Sequence, residues 1–207
     1  MKANGVVTSI DQLLSWVTRL AWLNLLFIIG TLAGFFLLGL FPALTACLGV
    51  ARKWLKGNRT LPVWKTFWHL YRNEWKLANG LGLGLLFVGG ILYLNYLIIK
   101  SAEGEVLFII PFAFYGILFF YGLIVLWIFP LIVHYKAKLS QQIKNAVIIG
   151  VTKIYISFGM AVLWFAVGYY SLMLPSLFPF FSFTFLFIGW MWLALQVFMK
   201  IPSTKNH

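Results

Sequence analysis

FPALTACLGVARKWLKGNRTLPVWKTFWHLYRNEWKLANG, Phe41 to Gly80, carries seven of the sixteen basic residues of the chain (Arg52, Lys53, Lys56, Arg59, Lys65, Arg72, Lys76) and one acid, Glu74. The sequence on both sides is almost wholly apolar. From Trp64 the aromatic side chains recur at Phe67, Trp68, Tyr71 and Trp75, one stripe of an α-helix. Lys65, His69, Arg72, Asn73 and Lys76 fall largely on the opposite side. Pro62 suits the first turn of that helix and Thr60 its cap. A basic helix over 61–76 with an aromatic face, set between membrane-length apolar runs, reads as a cytoplasmic element at the lipid headgroups.

Composition agrees with a membrane setting. Apolar residues make up 62% of the 207, and charged residues only 10%, against roughly 25% in soluble domains. The mean hydropathy is +0.94. So few charges cannot cover a water-exposed surface. The net charge of +12 sits in short loops between apolar runs, which is the positive-inside pattern and not a nucleic-acid face. Cys47 stands alone among Ala and Leu, so one chain offers no disulfide framework. No secretory signal peptide is expected, because the first twenty residues carry Asp11 and Arg19 and lack a continuous apolar core.

Outward from the basic stretch, the reading is an all-α polytopic transmembrane helical bundle forming a single domain over 1–207. Residues 9–19 form a short interfacial helix. Spans follow at about 20–40, 77–99, 106–133, 154–174 and 183–199. Gly39 to Pro42 interrupt the first run, and Pro42 starts a short or re-entrant helix at 43–56. With only nine residues before Arg52, that element is short for a crossing. If it returns through the bilayer, the N-terminus lies inside; if not, outside. Lys100, Glu103 and Glu105 suit an external loop, as does 175–182, while Lys136, Lys138, Lys144, Lys153, Lys200 and Lys205 suit the inside. No solenoid period and no inverted repeat is visible.

Particular residues carry a resemblance. Trp22-Leu23-Asn24-Leu25 opens the first span, and Pro42-Ala43 with Ala46 follows it. Next come Arg52-Lys53 with Lys56-Gly57, then Phe67-Trp68 with Tyr71 and Asn73. In these the chain resembles the YesL-like family, bacterial integral membrane proteins built around a domain of unknown function. The resemblance implies a multi-pass protein of the bacterial cell membrane, with relatives often encoded beside carbohydrate-uptake and carbohydrate-degradation genes. It supplies no catalytic residues.

Nor do the residues themselves point to catalysis. Glu103 and Glu105 lie in a short loop beside Lys100, not in an enclosed pair with separated pKa values. His69, His134 and His207 are scattered without an HExxH, and there is no GxSxG elbow or Walker motif. No cofactor, metal or nucleic acid is expected, and the protein is read as not an enzyme. Gly30-x-x-x-Gly34 and Gly80-x-x-x-Gly84 favour close helix packing within the bundle, with homo-oligomerisation as the alternative. Asn24, Asn95 and Gln196 are the polar side chains placed to bond across helices. Arg52, Lys53, Lys56, Arg59, Lys65, Arg72, Glu74 and Lys76 are the candidate contacts to a partner or to anionic lipid headgroups. Trp64, Phe67, Trp68, Tyr71 and Trp75 form the interfacial stripe. The leading function is a non-enzymatic accessory protein docked on a membrane partner, for which the resemblance implies a carbohydrate-uptake system; the alternative is a small neutral-solute transporter or channel.

Overall fold

A computed structural model describes residues 2–58, 60–101, 109–174 and 181–200, the side chains of 2–10 and 12 excepted. Among these residues it has α-helices and no strand: α1 (Lys2–Ala33), α2 (Leu37–Leu55), α3 (Val63–Asn73), α4 (Trp75–Ser101), α5 (Ile109–His134), α6 (Leu139–Thr152), α7 (Ile154–Met173) and α8 (Phe183–Phe198). Four segments among the described residues are long and apolar enough to cross a membrane: Leu13–Ala33, Trp75–Ser101, Ile109–His134 and Ile154–Met173. The shorter α8 is also apolar.

Several boundaries differ from the sequence reading. No break separates an interfacial helix at 9–19 from the first span, since α1 runs through both. The turn expected at Gly39–Pro42 lies earlier, at residues 34–36, where Phe35 and Phe36 take φ of 52° and 61°. Glycines make this turn possible. A Cβ on Gly34 would overlap the backbone of Gly39, and one on Gly39 would overlap the carbonyls of Gly30 and Thr31. The two helices therefore meet backbone to backbone, and the left-handed phenylalanines are turned outward, 89% and 68% exposed. Pro42 sits inside α2 rather than at its start. Pro62 directly precedes α3 and no side chain caps that helix, so Thr60 does not serve as its cap. The expected helix at 61–76 is divided at Glu74, and Trp75 and Lys76 belong to α4. The basic stretch near Lys144 contains α6, a helix the sequence reading did not draw.

An in-helix proline removes the N–H that would bond the carbonyl four residues back. At Pro42 that carbonyl belongs to Leu38, and the Asn79 side-chain amide of α4 donates to it at 2.9 Å. At Pro130 it belongs to Leu126, and the Trp190 indole of α8 donates to it at 2.8 Å. Neighbouring helices thus satisfy both freed groups, which lipid cannot do.

Three antiparallel hairpins organise the described residues. Trp16 meets Trp54 and Gly30 lies by Ala43 in α1–α2. Tyr121 donates to Leu85 O and Tyr96 lies by Phe114 in α4–α5. Leu163 covers Gly189, and Leu193 lies over Gly159, in α7–α8. The second helices, α2, α5 and α8, touch one another, and each also touches the first helix of another hairpin: α2 with α4, α5 with α7, α8 with α1. At their meeting point the Phe129 ring is stacked on Phe41 at 6.0 Å and lies 6.3 Å from Trp190.

The short apolar helix is the hub. Every residue of α2 from Phe41 to Ala51 is buried, and α1, α3, α4, α5 and α8 surround it. A short polar-ended helix is tolerated at membrane depth when protein encloses it. By contrast, only 11% of the α4 span and 17% of the α7 span are buried, so these helices present apolar sides outward. Packing and hydrogen bonds must hold such helices together, because lipid is as apolar as leucine. Asn24 of α1 accepts from the backbone N–H groups of Phe183 and Thr184, capping α8, while the Thr184 hydroxyl donates to Leu20 O. The Trp127 indole donates to Ser157, whose hydroxyl donates on to Gly150 O, tying α5 to α7 and α6.

Candidate functional site at the basic end of the bundle

The basic residues of α2 follow from how the helix ends. Its last four carbonyls lack intrahelical partners and carry partial negative charge, which Arg52 and Lys53 in the last turn complement. Gly57, at φ 95°, takes the left-handed position that closes the helix. The N–H groups of Lys56, Gly57 and Asn58 return to the carbonyls of Arg52, Trp54 and Lys53 at 3.0–3.1 Å.

α2 and α5 run in the same sense, from the Phe41–Phe129 stack to Arg52, whose guanidinium donates to the Val133 carbonyl. That carbonyl is one of the last in α5, and Arg52 stands as a half-buried strut between the two helix ends. α8 ends there too, with Phe198 against His134 at 4.7 Å. Trp16 of α1 packs on Trp54 at 5.7 Å, which brings the early part of α1 to the same end.

Between α2, the end of α5 and the α3–α4 junction is a cavity of about 190 Å³, lined by Thr45, Gly49, Arg52, Lys53, Lys56, Asn58, Leu70, Glu74 and Val133. Glu74, half-buried at the junction of α3 and α4, shares this cavity with three cations of another segment. Burial, and after it the neighbouring Arg52 charge, lower the pKa of the Lys56 ammonium. Thr45 spends its hydroxyl proton on Phe41 O at 2.8 Å and keeps its lone pairs. Near this end Trp54 Nε1 and His134 Nδ1 are buried without a hydrogen-bond partner among the described residues.

α3 crosses the α1–α2 hairpin. Leu70 lies on Gly49, Trp64 is 6.1 Å from Trp22, and the Tyr71 hydroxyl donates to Gly30 O at 3.0 Å. The aromatic stripe is therefore divided. Phe67 and Tyr71 are buried in the bundle, Trp68 is half-buried between them, and Trp64 and Trp75 face outward. Lys65, Arg72 and Lys76 are exposed. Trp64, Lys65, Trp68, His69, Arg72 and Asn73 line a surface groove along α3. Arg59 lies outside the described residues, as do Glu103, Glu105, Lys205 and His207.

The structure thus gathers Arg52, Lys53, Lys56 and Glu74 around one cavity and leaves Lys65 and Arg72 on the α3 face and Lys76 at the start of α4. Among the polar residues singled out in the spans, Asn24 does bond across helices, whereas Asn95 donates to Ile91 O of its own helix. Asn79, which sequence reasoning passed over, was signalled only by the proline in the helix opposite. Gly30 and Gly34 pack inside the bundle, while Gly80 and Gly84 face open space. Among the described residues no group of three or more His, Cys, Asp or Glu is placed to hold a metal ion.

A family model described as "Protein of unknown function, DUF624" matches residues 20–96, a range that contains every residue lining the cavity except Val133. The chain is 30% identical over 213 residues to the uncharacterized protein YteU of Bacillus subtilis (strain 168), covering 100% of this chain and 96% of that protein. It is also 33% identical over 138 residues to the uncharacterized protein YesL of the same organism, covering 67% and 65% of the two chains. No solved structure matches it.

Proposed function

The chain belongs to the DUF624 family of YesL-like proteins, and from that premise we propose that it is a non-enzymatic accessory protein of the bacterial cell membrane. Its basic end faces the cytoplasm, where it docks on a membrane transport protein. The partner class, a carbohydrate-uptake system, comes from the family resemblance alone. The observation that carries the reading is the gathering of cations at one end. The C-terminal ends of α2, α5 and α8 meet there, with Arg52, Lys53 and Lys56 beside Glu74, the exposed Lys65 and Arg72 on α3, and Lys76 at the start of α4. Such segregation supports a cytoplasmic placement. Exposed Trp64 beside Lys65 and Arg72 offers the mixed aromatic and Arg surface that protein interfaces favour.

Docking and simple charge attraction make different demands. Arg recognises a carboxylate or carbonyl with a planar fork that Lys cannot reproduce. Co-purification from native membranes in mild detergent should recover a transport protein with the wild type. It should recover less with Arg52, Arg59 and Arg72 all changed to Lys, at unchanged insertion. Undiminished recovery by the triple variant would reduce these residues to a topology signal.

A further inference from the structure

One positive charge of the cavity, that of Arg52, is held in place rather than carried on a free stem. Arg52 is half-buried, and its bond to the Val133 carbonyl fixes the guanidinium at the wall. Lys53, Lys56 and Asn58 bring further donors to the same space, and Glu74 is the one acid among the lining residues. Three cations against one carboxylate leave an excess of positive charge in a partly desolvated recess, a setting that favours an anion. Its volume of about 190 Å³ is below the roughly 300–1,000 Å³ of sites for drug-sized ligands, which suits a headgroup-sized anion rather than a nucleotide.

We infer that this cavity binds a phosphate oxyanion, with Arg52, Lys53, Lys56 and Asn58 as donors. Phosphate offers several acceptor oxygens in different directions. A fixed Arg fork meets two of them, and the Lys groups act as point charges beside it. Glu74 repels a bare anion but accepts a hydrogen bond from a hydroxyl or ammonium. It therefore favours a phosphate ester carrying such a donor nearby, as phosphatidylglycerol and phosphatidylethanolamine do. Leu70 and Val133 supply the apolar wall against which the ester's carbon atoms rest. This inference stands on the cavity and does not rest on docking to a transport protein; loss of partner recovery leaves it untouched.

The test uses the full-length purified protein, delipidated in a neutral detergent. It is titrated separately with short-chain phosphatidylglycerol, inorganic phosphate, and diacylglycerol of the same chain length. Native mass spectrometry reads the bound adduct and thermal unfolding reads protection. Phosphatidylglycerol should bind and protect, while diacylglycerol should not. Arg52→Lys should weaken phosphatidylglycerol about tenfold, the scale of one charge-assisted hydrogen bond. Lys56→Gln, at an exposed position, should weaken it several-fold and keeps the test available if the Arg52 variant does not fold. Glu74→Gln should narrow the advantage of phosphatidylglycerol over inorganic phosphate. Equal protection by inorganic phosphate, lost in the same variants, would assign the site to a soluble phosphate and still support the oxyanion. Equal binding of diacylglycerol, no binding of either phosphate, or phosphate binding unchanged in both cation variants would overturn the inference.

Discussion

Pro42 and Pro130 set the clearest test at the scale of single residues. Each frees a part-buried carbonyl, and each freed carbonyl is answered by a side chain from another helix. Leaving Leu38 O without Asn79 should cost about 1–3 kcal/mol, the usual penalty for an orphaned buried polar group. In a Pro42→Ala background the backbone N–H of residue 42 can reclaim Leu38 O, so Asn79→Leu should then cost much less. The expected coupling is about 0.5–3 kcal/mol in a double-mutant cycle read by unfolding in mixed micelles. Identical costs in the two backgrounds would mean that the Asn79 bond has nothing to do with the proline. The basic side chains were legible in the sequence as a cluster, because charge stands out against an apolar chain. That Arg52 reaches Val133, and that Glu74 shares a cavity with Lys53 and Lys56, was not legible. Those contacts join segments whose approach no local pattern encodes.

At the scale of helices, α4 shows how one element carries two different faces. A Cβ at Gly82 would run into the Phe41 ring, whereas Gly84, one half-turn on, has nothing within 4 Å. Gly82→Ala should therefore push α4 from α2 and destabilise the bundle. Gly84→Ala should stabilise it by up to about 1 kcal/mol through helix propensity alone. Thermal unfolding of the two variants side by side checks this, and equal shifts would contradict the α2–α4 contact. The apolar runs made α4, α5, α7 and α8 readable, since length and lack of charge are enough to mark them. α6 escaped because its buried positions, Gln142, Ala146, Ile149 and Gly150, include a polar residue and two small ones. The α1–α2 turn escaped for a different reason: glycine and proline are the usual breakers, yet the left-handed residues here are two phenylalanines.

For the molecule as a whole, the hairpin geometry makes a topological statement. Trp16 lies against Trp54, so the early part of α1 and the basic end of α2 belong to the same side. Asp11→Cys and Asn58→Cys, each in a Cys47→Ala background, should respond alike to an impermeant thiol reagent. Both should be protected in intact cells and labelled in inverted vesicles. Opposite responses would break the hairpin; labelling of both in intact cells would turn the protein over. A further consequence lies in the cap that Asn24 places on α8. The capping residue and Phe183 are 159 positions apart in the chain. At a synthesis rate of about 5–20 residues per second, the acceptor precedes its donors by roughly ten to thirty seconds. The α1–α2 hairpin must therefore wait, with its docking place for α8 still vacant, while the helices between are made, and the contact at Asn24 closes only once α8 has emerged.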